Sequence, residues 1–285
     1  DIVEASYATT SILEYNPSTI EVMDKMLLDR CRESLGFAQN MSAIQGEPGA
    51  ILLIEFYGES VAEVESKMEK LKDDMARKRF GYACVNISDK AGQNNVWNIR
   101  KAGLGLLMSI HGDAKPIPFV EDTAVDPSVL GDFVTRFDEI VQNHGTEAGY
   151  YGHASVGCLH IRPLISLKDD DGISKMFSIA DEISDLVNEF GGSLSGEHGD
   201  GIVRGVFTEK MFGPEIYQAF RDLKTTFDPN YLNYVKYISG NMPLLNKRRK
   251  GIKNWWGALE DISLERYLNS KKTSPEINNA NSLNK

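Results

Sequence analysis

Cysteine, long apolar runs and concentrated positive charge are all scarce in this chain of 285 residues. Its three cysteines, Cys31, Cys84 and Cys158, are too few and too scattered for a disulfide framework or a paired-cysteine metal site. Apolar runs such as 50–54 are far too short to cross a bilayer, which takes about 20 residues. The net charge of −10 argues against a nucleic-acid surface, because phosphate binding needs a dense cationic footprint. We therefore expect a cytoplasmic protein without a nucleic-acid partner and with no evident membrane association.

The order of helical and extended patterns predicts a mixed fold, either α+β or α/β, with a sheet of four or more strands and helices on one face. Strands are predicted at 50–57, 82–87, 117–121, 150–153 and 158–164, and helices at 19–35, 60–78, 94–108, 172–190 and from just after Pro127 to 142.

The composition changes after Phe227-Asp228-Pro229. We assign residues 1–245 to one domain and residues 246–285 to a basic tail, whose Asn- and Lys-rich composition is typical of flexible segments. The basic run 246–250 is expected to be a solvated charge cluster, and a contact with the inner membrane surface is the weaker alternative.

Two histidines, His153 and His160, flank a stretch of small residues. On a continuous strand, side chains seven residues apart point to opposite faces. Gly157 and the pair Ala154-Ser155 permit a turn, which would bring both imidazoles to one side of a hairpin. Such a pair suits zinc, manganese or iron. A pair of hydrogen-bonded histidines at a sheet edge is the alternative interpretation.

A second glycine-rich segment, Ser195 to Gly201, carries Glu197 and His198 side by side. Adjacent side chains diverge, so one can bind a metal while the other faces substrate as a general base, a role that imidazole suits near neutral pH. The alternative is an ordinary turn with two solvated side chains.

Several cations are candidates for binding an anionic substrate, because arginine pairs with carboxylates through a bidentate fork and lysine adds a point charge. They are Arg100, Lys115, Arg162 and Arg204. Taken singly, each is more often a surface cation.

The segments from Gly152-His153 to Leu159-His160 and from Ser195 to Gly201 resemble the C-terminal half of FAD-linked oxidases of the vanillyl-alcohol-oxidase type. The branch includes D-lactate, glycolate and D-2-hydroxyglutarate dehydrogenases. The segment His-Ala-Ser-Val-Gly-Cys-Leu-His-Ile-Arg-Pro is most similar to that of large bacterial members that carry an iron–sulfur module. The resemblance covers about residues 20–229 and implies an α+β fold, with helices packed on a ferredoxin-like antiparallel sheet and a helical C-terminal part.

The resemblance also implies roles for matching positions. His153, His160 and Glu197 would bind a divalent metal, with zinc preferred and manganese or iron as alternatives; His198 would be the base; and Arg100 and Lys115 would bind the substrate carboxylate. This chain departs from the family pattern at Arg162, where an asparagine is usual, and at Ser155-Val156, where Asp-Gly is usual. Arg162 is therefore expected to affect substrate preference.

The function implied is the substrate- and metal-binding half of a flavin-dependent D-2-hydroxy-acid dehydrogenase, which oxidises the 2-hydroxyl of a small anionic acid to a 2-oxo group. FAD would be held mainly by a separate FAD-binding domain that this sequence does not contain, with an iron–sulfur module as a further partner. Residues 231–237 also differ from the family's flavin-contacting stretch. A non-catalytic remnant or a regulatory small-acid-binding domain is the alternative.

Overall fold

A computed structural model describes residues 1–227 of the chain, which divide into two units. The first unit comprises Asp1–Ser166 and Ser174–Gly199, and the second comprises Leu167–Ile173 and, of the described residues, 200–227. The predicted tail 246–285 lies outside the described residues. No helix among residues 1–227 combines the length and the apolar character needed to cross a membrane.

The first unit is built on a six-stranded antiparallel sheet. Its strands are β1 (Thr19–Asp24), β2 (Ala50–Glu55), β3 (Ala114–Pro116), β4 (Thr123–Ala124), β5 (Ala148–His153) and β6 (Cys158–Ser166). The spatial order is β2-β1-β5-β6-β3, with β4 paired to β6.

The helices in chain order are α1 (Ile2–Leu13), α2 (Lys25–Glu33), α3 (Val61–Lys78), α4 (Lys90–Met108), α5 (Leu130–Asn143), α6 (Asp170–Glu189), α7 (Gly201–Arg204) and α8 (Thr208–Phe227). Helix α6 begins in the second unit and continues into the first, while α7 and α8 belong to the second unit. Helix α8 is broken at Gly213, which has a positive φ and precedes Pro214. The α+β class, the antiparallel sheet with packed helices and the helical C-terminal part are confirmed.

Neighbouring tyrosines on β5 show how the two faces of the sheet are covered. Successive side chains of a strand point to opposite faces. Tyr151 therefore joins the buried cluster of α2 and α4, which contains Leu27 and Ile99. Tyr150 lies on the other face, where its hydroxyl donates to Asp138 of α5. Helices thus cover both faces of the sheet, whereas helices on one face were expected.

The prediction of a helix over 19–35 is wrong in its first part, because Thr19–Asp24 forms strand β1 and only Lys25–Glu33 is helical. Strand β1 pairs along both edges, with β2 and with β5, and this pairing overrides the local helical pattern. Asp24 marks the change of structure, since its carboxylate accepts the N–H of Leu27 at 3.0 Å as the N-cap of α2.

The predicted strands at 82–87 and 117–121 are also wrong. The chain is irregular over 82–87, where Tyr82 is exposed and donates its hydroxyl to the carbonyl of Gln45. Pro118 interrupts the second segment, and proline has no N–H for the strand ladder. The paired residues lie on either side of it, in β3 and β4.

Candidate functional site

A hairpin of β5 and β6 brings His153 and His160 together, as the sequence predicts. His153 pairs with Cys158 and Tyr151 pairs with His160, so both imidazoles lie on the sheet face covered by α2 and α4. Their ring centroids are 5.5 Å apart. The turn requires glycine at position 157, where φ is +66° and a Cβ would lie 1.9 Å from the carbonyl oxygen of Val125.

Three imidazoles surround one carboxylate oxygen. The Nε2 atoms of His153, His160 and His198 lie 3.6, 3.2 and 3.2 Å from Oε1 of Glu197. The rings of His160 and His198 are stacked, with centroids 5.1 Å apart and planes inclined by 6°. The structure therefore unites the two glycine-rich segments, which are far apart in sequence, in one histidine–glutamate cluster.

The cluster is buried at one end and open at the other. The His160 side chain is 6% exposed, whereas those of Glu197 and His198 are 43% and 48% exposed. Burial, aided by the neighbouring histidines, lowers the pKa of His160 to about 4. His160 is consequently neutral near pH 7, which is the form that binds a metal.

Asp122 fastens the Glu197–His198 loop to the hairpin. Its carboxylate accepts hydrogen bonds from the Ser195 hydroxyl at 2.6 Å and from the backbone N–H groups of Glu197 and His198 at 3.1 and 2.8 Å. The thiol of Cys158 donates to the same group at 3.4 Å. Burial works to raise the pKa of Asp122, but these donors outweigh it, so the pKa is lowered.

The thiol of Cys158 stays protonated in these surroundings. Burial and the adjacent Asp122 carboxylate raise the pKa of Cys158 to about 12. Since the thiolate is the nucleophilic and metal-binding form, Cys158 acts as a small buried strand residue.

Glu21 of β1 lies behind His153. It is directly opposite His153 in the β1–β5 register, and its Oε1 is 2.6 Å from His153 Nδ1. The second oxygen accepts the Nε–H of Arg100 at 2.7 Å, and the Arg100 guanidinium stacks over Tyr151. The predicted substrate cation Arg100 is therefore linked to His153 through Glu21 and is bound to a carboxylate of the protein.

Glu121 occupies a similar position behind His198. Its Oε1 lies 3.4 Å from His198 Nδ1, and its Oε2 forms a buried ion pair with Arg162. Arg162 follows His160 by two residues on β6, so the two side chains lie on the same face of the sheet. Among residues 1–227, the buried Nε of Arg162 has no hydrogen-bond acceptor.

The remaining predicted substrate cation, Lys115, is bonded elsewhere. Its ammonium group donates to the carbonyl of Ile110. On β3, Lys115 pairs with Ile165, five residues beyond His160 on β6, or about 16 Å along a strand. Its role as a substrate ligand stays a prediction. Arg204 belongs to the second unit, where its Nε donates to the carbonyl of Asp200.

The donor set suits a divalent metal. Ligand atoms about 2.05 Å from a tetrahedral zinc are about 3.3 Å from one another, close to the separations around Glu197 Oε1. A second grouping of one donor atom each from Asp122, His160, Glu197 and His198 also fits within 4.8 Å. The Asp122 carboxylate already accepts several donors, which favours His153 over Asp122 as a candidate ligand beside His160 and Glu197.

The sequence motifs do not single out three acidic residues of the site, Glu21, Glu121 and Asp122. Glu21 was hidden because its segment was assigned to an amphipathic helix, in which a glutamate is unremarkable. In a strand with otherwise apolar neighbours, a buried glutamate signals a partner. Glu121-Asp122 could have been noticed as an acidic pair that ends the apolar run after Pro118.

Comparison with known proteins identifies the family of this chain. A family model described as FAD linked oxidases, C-terminal domain, matches residues 1–235. D-2-hydroxyglutarate dehydrogenase of Haemophilus influenzae is 33% identical over 230 residues, which is 77% of this chain and 22% of that protein. The enzyme of the same name from Escherichia coli is 32% identical over 232 residues, 78% of this chain and 23% of that protein.

A more distant relative is D-lactate dehydrogenase of Archaeoglobus fulgidus, 27% identical over 224 residues, which is 78% of this chain and 46% of that protein. The chain thus spans less than a quarter of the two D-2-hydroxyglutarate dehydrogenases and less than half of this shorter relative. The matched segment and the identity show that this chain belongs to the FAD-linked oxidase family and corresponds to the C-terminal domain of that family.

Proposed function

We propose that this chain is the substrate- and metal-binding part of a flavin-dependent D-2-hydroxy-acid dehydrogenase. The observation that carries the proposal is the convergence of three imidazole Nε2 atoms within 3.2–3.6 Å of Glu197 Oε1. The names of the relatives give the substrate class, which is a small D-2-hydroxy acid such as D-2-hydroxyglutarate or D-lactate.

His153, His160 and Glu197 would hold the metal, with zinc preferred and manganese or iron as alternatives. When bound, a divalent cation lowers the pKa of a coordinated hydroxyl group. The buried, neutral His160 and the more exposed Glu197 leave one side of the cluster open to substrate. His198 lies on that open side.

His198 would act as the general base. Its Nε2 is 3.2 Å from Oε1 of Glu197, the oxygen proposed to bind the metal, and its ring is half-exposed. It would accept the proton of the substrate 2-hydroxyl, a role for which imidazole is suited near neutral pH. FAD, when bound, would supply the acceptor for the hydrogen on C2 together with its electron pair. With the hydroxyl proton on His198, the product would be a 2-oxo acid.

Arg100, Arg162 and Lys115 would bind the substrate carboxylates. The Nε–H of Arg100 donates to Glu21. This is one of the five N–H donors of a guanidinium group. The buried Nε of Arg162 has no acceptor among residues 1–227. A buried donor without a partner costs about 1–3 kcal/mol, so an incoming carboxylate oxygen would be stabilised there.

The partners proposed for this chain are a FAD-binding domain and, as in large bacterial members of the family, an iron–sulfur module. No described residue is assigned to FAD. The catalytic proposal is therefore tested by combining the full chain with a separately produced FAD-binding domain of a relative. Oxidation of D-2-hydroxyglutarate, D-lactate and glycolate is followed with an artificial electron acceptor.

We expect one of these acids to be oxidised, and we expect His198→Ala to lower kcat by about 10²–10⁴-fold, the usual contribution of a general base. His111→Ala is the matched control, because His111 is an exposed histidine outside the cluster. Absence of any rate, with both partners folded and FAD bound, would favour a non-catalytic remnant or a regulatory acid-binding domain.

A further inference from the structure

Glu21 has no role in the proposed reaction, yet it is among the most constrained side chains near the cluster. It is only 4% exposed and lies on the central part of the sheet, in a strand paired on both sides. A buried carboxylate is costly unless it is paired and hydrogen-bonded. Both oxygens of Glu21 meet this requirement, one with Arg100 and the other with His153.

The geometry determines which nitrogen of His153 carries the proton. One oxygen of Glu21 already accepts the Nε–H of Arg100, and a carboxylate paired with a guanidinium in this way offers only acceptor oxygens. At 2.6 Å from Glu21 Oε1, Nδ1 of His153 must therefore be the donor. In the neutral ring, Nε2 then has a lone pair, and Nε2 is the atom that faces Glu197.

We propose that Glu21 is a positioning residue that holds His153 in the Nδ1–H tautomer with its Nε2 lone pair directed into the cluster. The inference rests on the proposed function in that it identifies His153 as the best-prepared metal ligand. Ligating histidines commonly donate their second N–H to a carboxylate, which fixes the ring and raises its basicity. His160 differs, because its buried Nδ1 has no partner among residues 1–227.

The tautomer itself provides the first test, which needs neither metal nor activity. Two-bond ¹H–¹⁵N correlation spectra of the full chain, labelled with ¹⁵N-histidine and freed of metal, distinguish protonated from bare ring nitrogens. Spectra are recorded at about pH 8.5, above the usual histidine pKa of about 6.5. His153 is assigned by the loss of its signals in His153→Ala. We expect protonation at Nδ1, and an Nε2–H tautomer would overturn the proposal.

Zinc affinity provides the second test, with a matched control in the same cluster. Glu21→Gln replaces the carboxylate by an amide that can donate as well as accept, so the tautomer is no longer fixed. We expect its affinity for Zn²⁺, measured by competition with a chromophoric chelator, to fall by about 10–100-fold. The control is Glu121→Gln, because Glu121 is equally buried and arginine-paired but neighbours His198. Its affinity should stay within about threefold of the wild type.

A double substitution separates positioning from general damage. If Glu21 acts through His153, Glu21→Gln should produce no further loss of affinity in a His153→Ala background. An equal additional loss there, or an equal effect of Glu121→Gln, contradicts the proposal. If the wild-type chain binds no zinc, the proposed metal site fails, while the tautomer measurement still decides the role of Glu21.

Discussion

At the scale of single residues, Asp24 makes the stability of the fold sensitive to pH. Burial raises its pKa to about 7, although its carboxylate accepts the N–H groups of Leu27 and Tyr150. The folded carboxyl group holds its proton more tightly than the unfolded one. Its contribution to stability is therefore complete below about pH 4 and is lost as the pH rises through about 7.

We accordingly expect Asp24→Asn to destabilise the protein more at about pH 4.5 than at about pH 8, with a difference on the order of 3 kcal/mol. Denaturant unfolding of the metal-free chain at both pH values measures it. A destabilisation that is equal at both values would show that Asp24 titrates normally in the folded state.

The contribution of His160 to stability changes with pH in the opposite direction, over nearly the same pH range. Its pKa is lowered to about 4, chiefly by burial, so the folded state holds the proton less tightly than the unfolded state. Its contribution to stability is present above about pH 6.5 and is lost as the pH falls through about 4.

His160→Gln should therefore destabilise the metal-free protein more at about pH 7.5 than at about pH 4.5. Unfolding experiments under the same two conditions check this, with the exposed His111→Gln as control. The prediction is wrong if the cost of His160→Gln is larger at the lower pH.

At the scale of elements, Asp122 joins the Glu197–His198 loop to the sheet. Asp122→Asn should keep the unusual backbone of this position, since its φ is +71° and asparagine tolerates such values. The amide has only one acceptor oxygen for the donors from Ser195, Glu197 and His198. We expect zinc affinity to fall at least tenfold and stability to fall by about 2 kcal/mol.

The matched control is Asp126→Asn, an exposed carboxylate four residues along that bonds only the local Ser128 in the described structure. It should leave zinc affinity unchanged. Equal affinities for the two variants would mean that Asp122 does not hold Glu197 in place.

The hairpin turn gives a second prediction at this scale. Gly157→Ala would combine a left-handed backbone with a Cβ 1.9 Å from the Val125 carbonyl oxygen. Gly145→Ala has the same φ of +66° but no atom within 4 Å, so it isolates the backbone effect of about 1–2 kcal/mol. Thermal unfolding should show Gly157→Ala to be less stable than Gly145→Ala by at least about 2 kcal/mol. Similar losses would rule out the clash.

These elements also show what could be predicted from sequence. The hairpin could be anticipated, because seven-residue spacing and Gly157 leave few ways to unite His153 and His160 on one face. The carboxylates that lie behind the histidines, those of Glu21 and Glu121, could not be anticipated. Glu21 and Arg100 are 79 residues apart, and their contact depends on β1 pairing with β5, which the local pattern of 19–24 conceals. Pairing between distant strands is not encoded in any short window.

At the scale of the whole molecule, the histidine–glutamate cluster is proposed to be one side of a reaction centre. Its histidines and glutamate lie in the first unit, and the chain spans less than a quarter of its D-2-hydroxyglutarate dehydrogenase relatives. The proposed division of labour is that this part binds substrate and metal and removes a proton, while a flavin domain removes the hydride. Metal binding is the part of the proposed function that we expect the chain to perform alone.

The most direct measurement is therefore the zinc content and zinc affinity of the purified chain and four variants. We predict one zinc per wild-type chain, at least 100-fold weaker binding in His153→Ala, His160→Ala and Glu197→Gln, and binding within about threefold of wild type in His198→Ala. Absence of zinc from the wild-type chain would contradict the account. So would loss of zinc in His198→Ala with retention in His153→Ala, because the ligands would then be those grouped around Asp122 and His198.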